Sequence, residues 1–219
     1  MLDFELETMI SQQLVSRGVT DQRVLNAFRA VPRRTFAPDY LETKAYADVE
    51  LPIGLGQTIA PPYVSARMLQ ELAPAPEARV LEIGTGSGFV TALLAKLCKT
   101  VYTVEYLPEL AARARKTLHH LLGLTNIQFH VGDGFYGWSD QAPFDAIIVN
   151  ASATSVPEPL VGQLREGGRL VVAIGFGEGQ AQALHVVERL EGGDEETRII
   201  PAAEFGGNLL PLQGEAEEY

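Results

Sequence analysis

A buried apolar run in this chain stops abruptly at a cluster of glycines. Residues 80–89 read VLEIGTGSGF, in which an acidic residue, Glu82, lies inside the run and three glycines alternate with small polar residues after it. Val80, Leu81 and Ile83 predict a short buried strand. Glycine lets the backbone of a strand-to-helix turn approach a ligand and adopt positive φ at little cost. The pattern therefore predicts a binding site for a nucleotide-type cofactor. An ordinary tight turn is the simpler alternative.

The spacing of these glycines separates one cofactor class from another. NAD-binding folds use G-x-G-x-x-G, whereas here the third glycine falls one position early and Phe89 follows it. With the acidic residue included, E-x-G-x-G-x-G resembles motif I of the class I methyltransferases that use S-adenosylmethionine (SAM). That resemblance implies a cofactor site containing Glu82, Gly84, Thr85, Gly86, Ser87 and Gly88.

The next predicted strand ends in a carboxylate. Thr100–Tyr106 is β-branched and aromatic, and Glu105 lies near its end. This glutamate follows the first glycine by about 20 residues, the spacing at which related folds place a carboxylate on the ribose hydroxyls. We therefore predict that Glu105, with Tyr106 beside it, binds the cofactor. The alternative is a solvated glutamate at a strand end.

Two more predicted strands, Ile127–Val131 and Phe144–Val149, also lead into polar residues. Ligands of open α/β sheets bind outside the carboxyl ends of the strands. After the first of these strands, Asp133 is expected to accept the adenine amino group while the backbone of Gly134 faces the ring, although a plain Gly-Asp-Gly turn would have the same sequence. After the second, Asn150 is the candidate for the site.

Composition and charge narrow the classes of function. With 219 residues, 46% of them hydrophobic, the chain can bury one sizeable core. Its formal net charge of −11 disfavours nucleic-acid binding, where affinity comes largely from cations facing phosphates. A single cysteine and four scattered histidines predict no disulfide or metal site, and no bilayer-spanning run or signal peptide is found. We therefore expect a cytoplasmic monomer with no metal, nucleic-acid or membrane partner.

The flanking regions differ in character from the centre. Asp3–Ser16 and Thr20–Ala30 have helical periodicity, the second capped by its first residue, and Leu51–Pro62 is irregular but strongly apolar. Gln182–Arg189 and Thr197–Pro201 alternate like the strands of a hairpin. The predicted fold is α/β: a doubly wound, mainly parallel, Rossmann-like sheet with a helical cap before it and an antiparallel hairpin after it.

A set of short segments gives a more specific resemblance. VPRRTFAP, LPIGLGQTI, VLEIGTGSG, VGDG, PFDAIIV and LREGGRLVVAIG occur in the order found in protein-L-isoaspartate O-methyltransferases, from about Val31 to Gly175. LPIG-x-GQTI discriminates best, because other class I methyltransferases lack it. The resemblance implies one SAM-dependent domain over residues 1–219, with the helical cap and substrate loop in 1–72, the cofactor core in 73–175 and edge strands in 176–219.

The family resemblance also implies an activity and its residues. Family members transfer a methyl group from SAM to the α-carboxylate of L-isoaspartyl residues in damaged proteins or peptides, which would be this chain's partners. A carboxylate is already an anion at neutral pH, so positioning and desolvation matter more than a general base. By resemblance, the catalytic positions are Thr58, Ile59 and Ala60, and the substrate contacts are Gln57, Thr58, Pro61, Asn150 and Ala151.

One of these positions departs from the family. The residue after the Gln-Thr-Ile triplet is typically a serine whose hydroxyl lies at the substrate carboxylate, but this chain has Ala60. Losing one hydroxyl donor to a charged acceptor costs on the order of 1–3 kcal/mol, or about ten- to a hundredfold in rate, if nothing replaces it. Asn150 and Ser152 are the replacement donors that the sequence suggests. A Gly-Gly gap before the C-terminal Pro-Leu pair, within Phe205–Leu212, also alters the expected peptide-binding wall.

Three hypotheses about function therefore remain open at this point. The first is an isoaspartyl carboxyl methyltransferase acting in protein repair. The second is a relative that methylates another carboxylate or hydroxyl, in a biosynthetic peptide or a small acid. The third is a relative that binds SAM or isoaspartate with little turnover.

Overall fold

The computed structural model, which describes residues 2–175 and 181–213, is organised around a seven-stranded sheet. The strands of the described residues are β1 (Leu51–Gly54), β2 (Gln57–Ile59), β3 (Arg79–Ile83), β4 (Thr100–Glu105), β5 (Ile127–Val131), β6 (Phe144–Ala153), β7 (Leu164–Ile174), β8 (Ala183–Arg189) and β9 (Glu195–Ile200). The sheet has the order β5-β4-β3-β6-β7-β8-β9, while β1 and β2 form a separate antiparallel pair. From β5 to β7 all neighbours are parallel, and β8 and β9 add an antiparallel edge.

Helices connect the parallel strands and precede the sheet. They are α1 (Leu2–Met9), α2 (Gln22–Ala30), α3 (Pro62–Leu72), α4 (Phe89–Leu97), α5 (Pro108–Arg115), α6 (Glu158–Val161) and α7 (Ala202–Phe205). A π-helical turn continues α1 through Ile10–Leu14, and another continues α5 through Lys116–Leu121. Both helical segments therefore run further than their α-helical parts alone.

The central strands are buried on both faces. In β3, Val80 packs into one apolar cluster, together with Phe28 of α2 and Leu69 of α3. The next residue, Leu81, packs into a second cluster with Leu160 of α6. Successive side chains of a strand point to opposite faces, so these two clusters are the two sides of the sheet. The predicted doubly wound α/β fold, with its C-terminal antiparallel hairpin, is confirmed.

The N-cap predicted for the second helix was wrong by one residue. Helix α2 is capped by Asp21, whose side chain accepts the backbone N–H of Arg23 at 2.8 Å. The backbone N–H of Thr20 instead donates to the side chain of Gln70 in α3 at 2.7 Å. Both residues are suitable caps by type, and the same Gln70 oxygen also accepts the backbone N–H of Asp21 at 3.0 Å.

Two further segments are more regular than predicted. The apolar stretch expected to be irregular folds into the β1–β2 hairpin, with Leu55 at its tip in a left-handed conformation (φ 56°) between two glycines. Strand β6 does not end at Val149 but continues to Ala153, and its pairing with β7 shifts register between Val149 and Ser152. Asn150 and Ala151 therefore lie in a bulge rather than in a loop.

Gly88, the last glycine of the turn after β3, packs closely against a neighbouring helical segment. A Cβ atom there would lie 2.8 Å from Cδ1 of Leu118 and 3.4 Å from Cβ of Ala114. The backbone at Gly88 thus makes its close approach to α5 and to the π-helical turn that continues it. Its φ of 89° also favours glycine.

Gly88→Ala and Gly18→Ala form a matched pair that tests this packing. Both positions have φ near 90°, but a Cβ at Gly18 would meet nothing within 4 Å. Each variant incurs a left-handed strain of about 1–2 kcal/mol. Only Gly88→Ala adds overpacking, worth about 1–3 kcal/mol. Urea unfolding should therefore show the larger loss of stability for Gly88→Ala, and equal losses would contradict the close packing at this turn.

Candidate active site

A cavity of about 970 Å³, counted with the space at its open mouth, lies at the carboxyl ends of the central strands. The chain proceeds outward from β3 to β4 on one side and later returns to β6 on the other, so the strand order reverses beside β3. Open α/β sheets bind ligands at such a switch point. The cavity therefore has the position of a ligand site.

Most of the predicted site residues meet in this cavity. Its lining includes Gln57, Thr58, Ile59, Ala60, Gly84, Thr85, Gly86, Ser87, Glu105, Tyr106, Gly134, Asn150 and Ala151. Four other predicted residues, Pro61, Glu82, Gly88 and Asp133, lie outside the lining. The glycine turn and the Gln-Thr-Ile segment are about 25 residues apart in the chain. The fold brings them together, so that both line one pocket.

Glu105 holds the glycine turn in place. One of its carboxylate oxygens accepts the backbone N–H of Gly86 at 2.7 Å, and the other accepts that of Leu107 at 3.0 Å. The turn itself needs positive φ at Gly84 (87°) and Gly86 (55°). A carboxylate has about four acceptor sites, so Glu105 keeps capacity for ligand hydroxyls while it fixes the backbone. Its ribose contact stays a prediction.

Glu82 lies beneath the turn rather than on the surface of the cavity. It is completely buried, and its carboxylate accepts hydrogen bonds from Thr91 at 2.6 Å, Thr103 at 2.7 Å and the Asn150 amide at 2.8 Å. Burial raises the pKa of Glu82 to about 7, although these hydrogen bonds favour the charged form. We therefore correct its expected role: Glu82 supports the glycine turn from below, because no surface of it reaches the cavity.

Neither of the donors suggested as replacements for a serine at position 60 is free. Both hydrogen bonds of the Asn150 amide nitrogen go to the protein, to Glu82 at 2.8 Å and to the carbonyl of Gly84 at 3.1 Å. The Ser152 hydroxyl donates to the carbonyl of Leu209 at 3.2 Å, and Ser152 does not line the cavity. The bulge in β6 separates the two, directing Asn150 toward the glycine turn and Ser152 toward the C-terminal segment.

Arg33 is a site-forming residue that the sequence did not single out, although it lies in the VPRRTFAP segment. Its guanidinium is fully buried and donates to the carbonyls of Ala45 at 2.5 Å, Val49 at 3.2 Å and Ala60 at 3.0 Å. Burial lowers the pKa of Arg33 to about 10. Because Val49 precedes β1 and Ala60 follows β2, this one side chain closes the base of the hairpin that carries Gln57–Ile59.

Arg113 fixes the same hairpin from the other side. From α5 it donates to the carbonyl of Ile53 in β1 at 2.5 Å. The Ile53 side chain in turn lies near the glycine turn, 3.7 Å from where a Cβ on Gly86 would be. The hairpin that bears the predicted substrate residues is therefore packed against the predicted cofactor turn.

The remaining wall of the cavity comes from the C-terminal segment 208–213. This segment is joined to the sheet by an isolated parallel bridge between Pro211 and Ser152. The buried Gln182 side chain also holds it, accepting the N–H of Leu209 at 2.7 Å and donating to the Leu209 carbonyl at 2.8 Å. A wall from this region was predicted, whereas the role of Gln182 could not be read from a strand-like pattern.

Several other features of the described residues bear on the chemistry. In residues 2–175 and 181–213 no three His, Cys, Asp or Glu side chains are placed to hold a metal ion. Within the same ranges, no helix combines the length and apolar character needed to cross a bilayer.

Cys98 is buried away from the cavity, and burial raises the pKa of its thiol to about 12. A thiol with so high a pKa is a poor nucleophile.

The sequence has many relatives of one kind. A family model described as protein-L-isoaspartate(D-aspartate) O-methyltransferase matches residues 5–205. A protein-L-isoaspartate O-methyltransferase from Petrotoga mobilis is 46% identical over 217 residues, which cover 98% of this chain and 99% of the relative. Another from Anaeromyxobacter dehalogenans is 49% identical over 196 residues, covering 90% of this chain and 93% of the relative.

Solved structures agree on the fold. A structure named protein-L-isoaspartate O-methyltransferase superposes with a TM-score of 0.78 at 24% identity, over 99% of this chain and 67% of that one. A protein of the same name from Plasmodium falciparum, in complex with S-adenosyl-L-homocysteine, superposes with a TM-score of 0.76 at 24% identity, over 95% of this chain and 98% of that one. At this level of identity the superpositions carry the fold alone.

The buried carboxyl group of Glu82 predicts a specific dependence of stability on pH. In the unfolded chain it ionises near 4.5, whereas in the folded protein it keeps its proton up to about 7. Between these values the folded state binds more protons, so stability falls as pH rises, by about 3 kcal/mol in total at 1.36 kcal/mol per pKa unit.

Glu82→Gln should remove that dependence, because the amide stays neutral and still exchanges hydrogen bonds with the neighbouring hydroxyls. Urea unfolding at pH 5 and pH 8 measures it, with Glu109→Gln, at an exposed position in α5, as the control. If Glu82→Gln loses as much stability between the two pH values as the parent protein, the burial of this carboxyl does not govern the effect.

Proposed function

The chain belongs to the protein-L-isoaspartate(D-aspartate) O-methyltransferase family, and from this premise we propose that it transfers a methyl group from SAM to the α-carboxylate of L-isoaspartyl residues in proteins or peptides. The observation that carries the proposal is the shared cavity. The glycine turn at Gly84–Ser87 and the Gln57–Ala60 segment, which have the family's cofactor and substrate motifs, line one pocket. Methyl transfer requires the two ligands to meet in this way.

The cofactor side of the cavity has groups that fit SAM. Gly84 and Gly86 expose backbone, and Glu105 has carboxylate capacity for ribose hydroxyls. Tyr106, whose side chain is about half exposed, and Gly134 provide surfaces for a flat base. When bound, SAM supplies an electrophilic methyl group on a sulfonium centre. We propose that these residues hold it, with Asp133 beside Gly134 as the partner of the adenine amino group.

The acceptor side contains no evident general base, which suits a carboxylate acceptor. Among the described residues that line the cavity, the ionisable ones are Glu105 and Tyr106, both on the cofactor side. An acceptor that is already ionised needs orientation and removal of water instead of proton abstraction. The apolar side chains of Ile59 and Met68 and the wall at Leu209 exclude water there. We propose that Thr58 and the backbone around it orient the acceptor, with Gln57, Pro61 and Ala151 at its edges.

The same proposal specifies the partners of the protein, its oligomeric state and its location in the cell. The partners are proteins or peptides that contain isoaspartyl residues, and the product ester would re-cyclise to a succinimide and so allow repair. A formal net charge of −11 is compatible with protein substrates and unfavourable for nucleic acid. We propose that the chain acts as a monomer in the cytoplasm.

Paired peptides test the proposed activity. Two peptides of identical sequence, one with L-isoaspartate and one with L-aspartate, are incubated with the protein and methyl-labelled SAM. Base-labile label should appear on the isoaspartyl peptide and be at least tenfold lower on its aspartyl counterpart. Equal labelling of both peptides, or labelling of neither, rejects the proposal.

Glu105→Ala tests the cofactor side. The variant loses charged hydrogen bonds to the ribose, each worth about 1.5–3 kcal/mol, so its affinity for SAM should fall by one to two orders of magnitude. Isothermal titration with SAM measures this, and Glu109→Ala, which removes a nearby exposed carboxylate, should bind like the parent protein. Unchanged affinity in Glu105→Ala would refute the ribose role.

A further inference from the structure

The lining of the cavity includes a buried hydroxyl group for which the described residues provide no hydrogen-bond partner. Ser65 lies in the first turns of α3, is only 3% exposed and lines the cavity together with Ala60 and Met68. Its Oγ makes no hydrogen bond with any described residue. A serine in a helix often donates to a carbonyl one turn earlier, but here the Pro61 carbonyl accepts only the backbone N–H of Ser65, at 3.4 Å.

A buried hydroxyl in this state is unusual. Buried polar side chains nearly always have a hydrogen-bond partner, and a native exception calls for a reason such as a ligand. Asn150 and Ser152, the two donors that the sequence suggested as replacements, are both engaged with protein groups. Among these three side chains, Ser65 is therefore the one with a hydrogen still to donate.

The surroundings of Ser65 favour an anion. Ala60 and Ser65 lie on either side of the start of α3, an eleven-residue helix, and a helix N-terminus carries partial positive charge. The buried Arg33 guanidinium adds a full positive charge, bonded to the Ala60 carbonyl at 3.0 Å.

Arg33 is also poorly neutralised. It takes part in no ion pair among the described residues. The negative charge of Asp48 favours the charged form of Arg33, but the Asp48 carboxylate is already paired with Arg17 at 2.8 Å. An anionic group bound beside Ala60 would therefore meet positive potential from two sources.

We propose that the Ser65 hydroxyl donates a hydrogen bond to a bound carboxylate and so replaces the hydroxyl that Ala60 does not provide. The inference rests on the proposed function, in which two carboxylates enter the cavity: the α-carboxylate of the isoaspartyl acceptor and the methionyl carboxylate of SAM. The acceptor carboxylate is the assigned ligand, because Ser65 lies with Ala60 on the side of the cavity that follows the Gln-Thr-Ile segment.

The test is a double-mutant cycle between positions 65 and 60. Ser65→Ala should lower kcat/KM for the isoaspartyl peptide about five- to fiftyfold, as expected for a lost hydrogen bond to a charged group. It should leave the SAM dissociation constant within twofold. Ala60→Ser should raise kcat/KM less than threefold in the parent protein, but at least fivefold in the Ser65→Ala background. Such non-additivity shows that the two hydroxyls serve one ligand.

Stability separates this role from a structural one. Because the Ser65 hydroxyl has no protein partner, Ser65→Ala should melt at the same temperature as the parent protein or slightly higher. Ser16→Ala, which removes an exposed hydroxyl far from the cavity, is the matched control and should change none of these quantities. A lower melting temperature together with lost activity would mean that Ser65 acts on the fold, and would overturn the proposal.

The remaining outcomes are equally decisive. If Ser65→Ala weakens SAM binding more than fivefold and spares the acceptor, the hydroxyl binds the methionyl carboxylate and the assignment to the acceptor is wrong. If neither constant changes by more than twofold while the parent protein methylates the isoaspartyl peptide, the inference fails and the proposed function stands. If the parent protein neither methylates nor, by titration, binds that peptide, both fail together.

Discussion

The carboxylate of Glu105 joins the ends of two adjacent parallel strands. It accepts the N–H of Gly86 after β3 and the N–H of Leu107 after β4, so the backbone of the glycine turn is fixed before any ligand arrives. Glu82 adds a second layer below, through Thr91, Thr103 and Asn150. A turn held in this way loses little conformational entropy on binding, which is how preorganised sites gain affinity.

Burying charged groups around the cavity costs free energy. Glu82 and Arg33, the two groups concerned, reduce this cost in different ways. Glu82 can take up a proton, since burial raises its pKa to about 7. Arg33 keeps its charge with a pKa of about 10 and spreads it over three backbone carbonyls. Buried charged groups are expensive for stability when left unpaired, and each of these two is held by three hydrogen bonds from its surroundings.

The parts of the fold that could be predicted are those with short-range signals. The buried strand at Val80–Ile83, the glycine turn and the hairpin of β8 and β9 each have a local pattern of apolar residues or turn residues. Long-range contacts decided features that have no such pattern. The register shift against β7 moves Asn150 from a strand end into a bulge. Gln182 and Arg113 act on the cavity through backbone carbonyls, which no side-chain pattern reveals.

Sequence alone determined the family motifs and the departure at Ala60, and it suggested Asn150 and Ser152 as side chains that could compensate for it. It could not rank those side chains, because a serine or an asparagine near the site in sequence has the same hydrogen-bonding groups wherever it points. Tertiary structure decided that ranking: the bulge in β6 commits Asn150 and Ser152 to protein partners, while the start of α3 places Ser65 against the cavity with its hydroxyl unpaired. The physical reason is that a donor's availability depends on which acceptors surround it in space, and those acceptors come from distant parts of the chain.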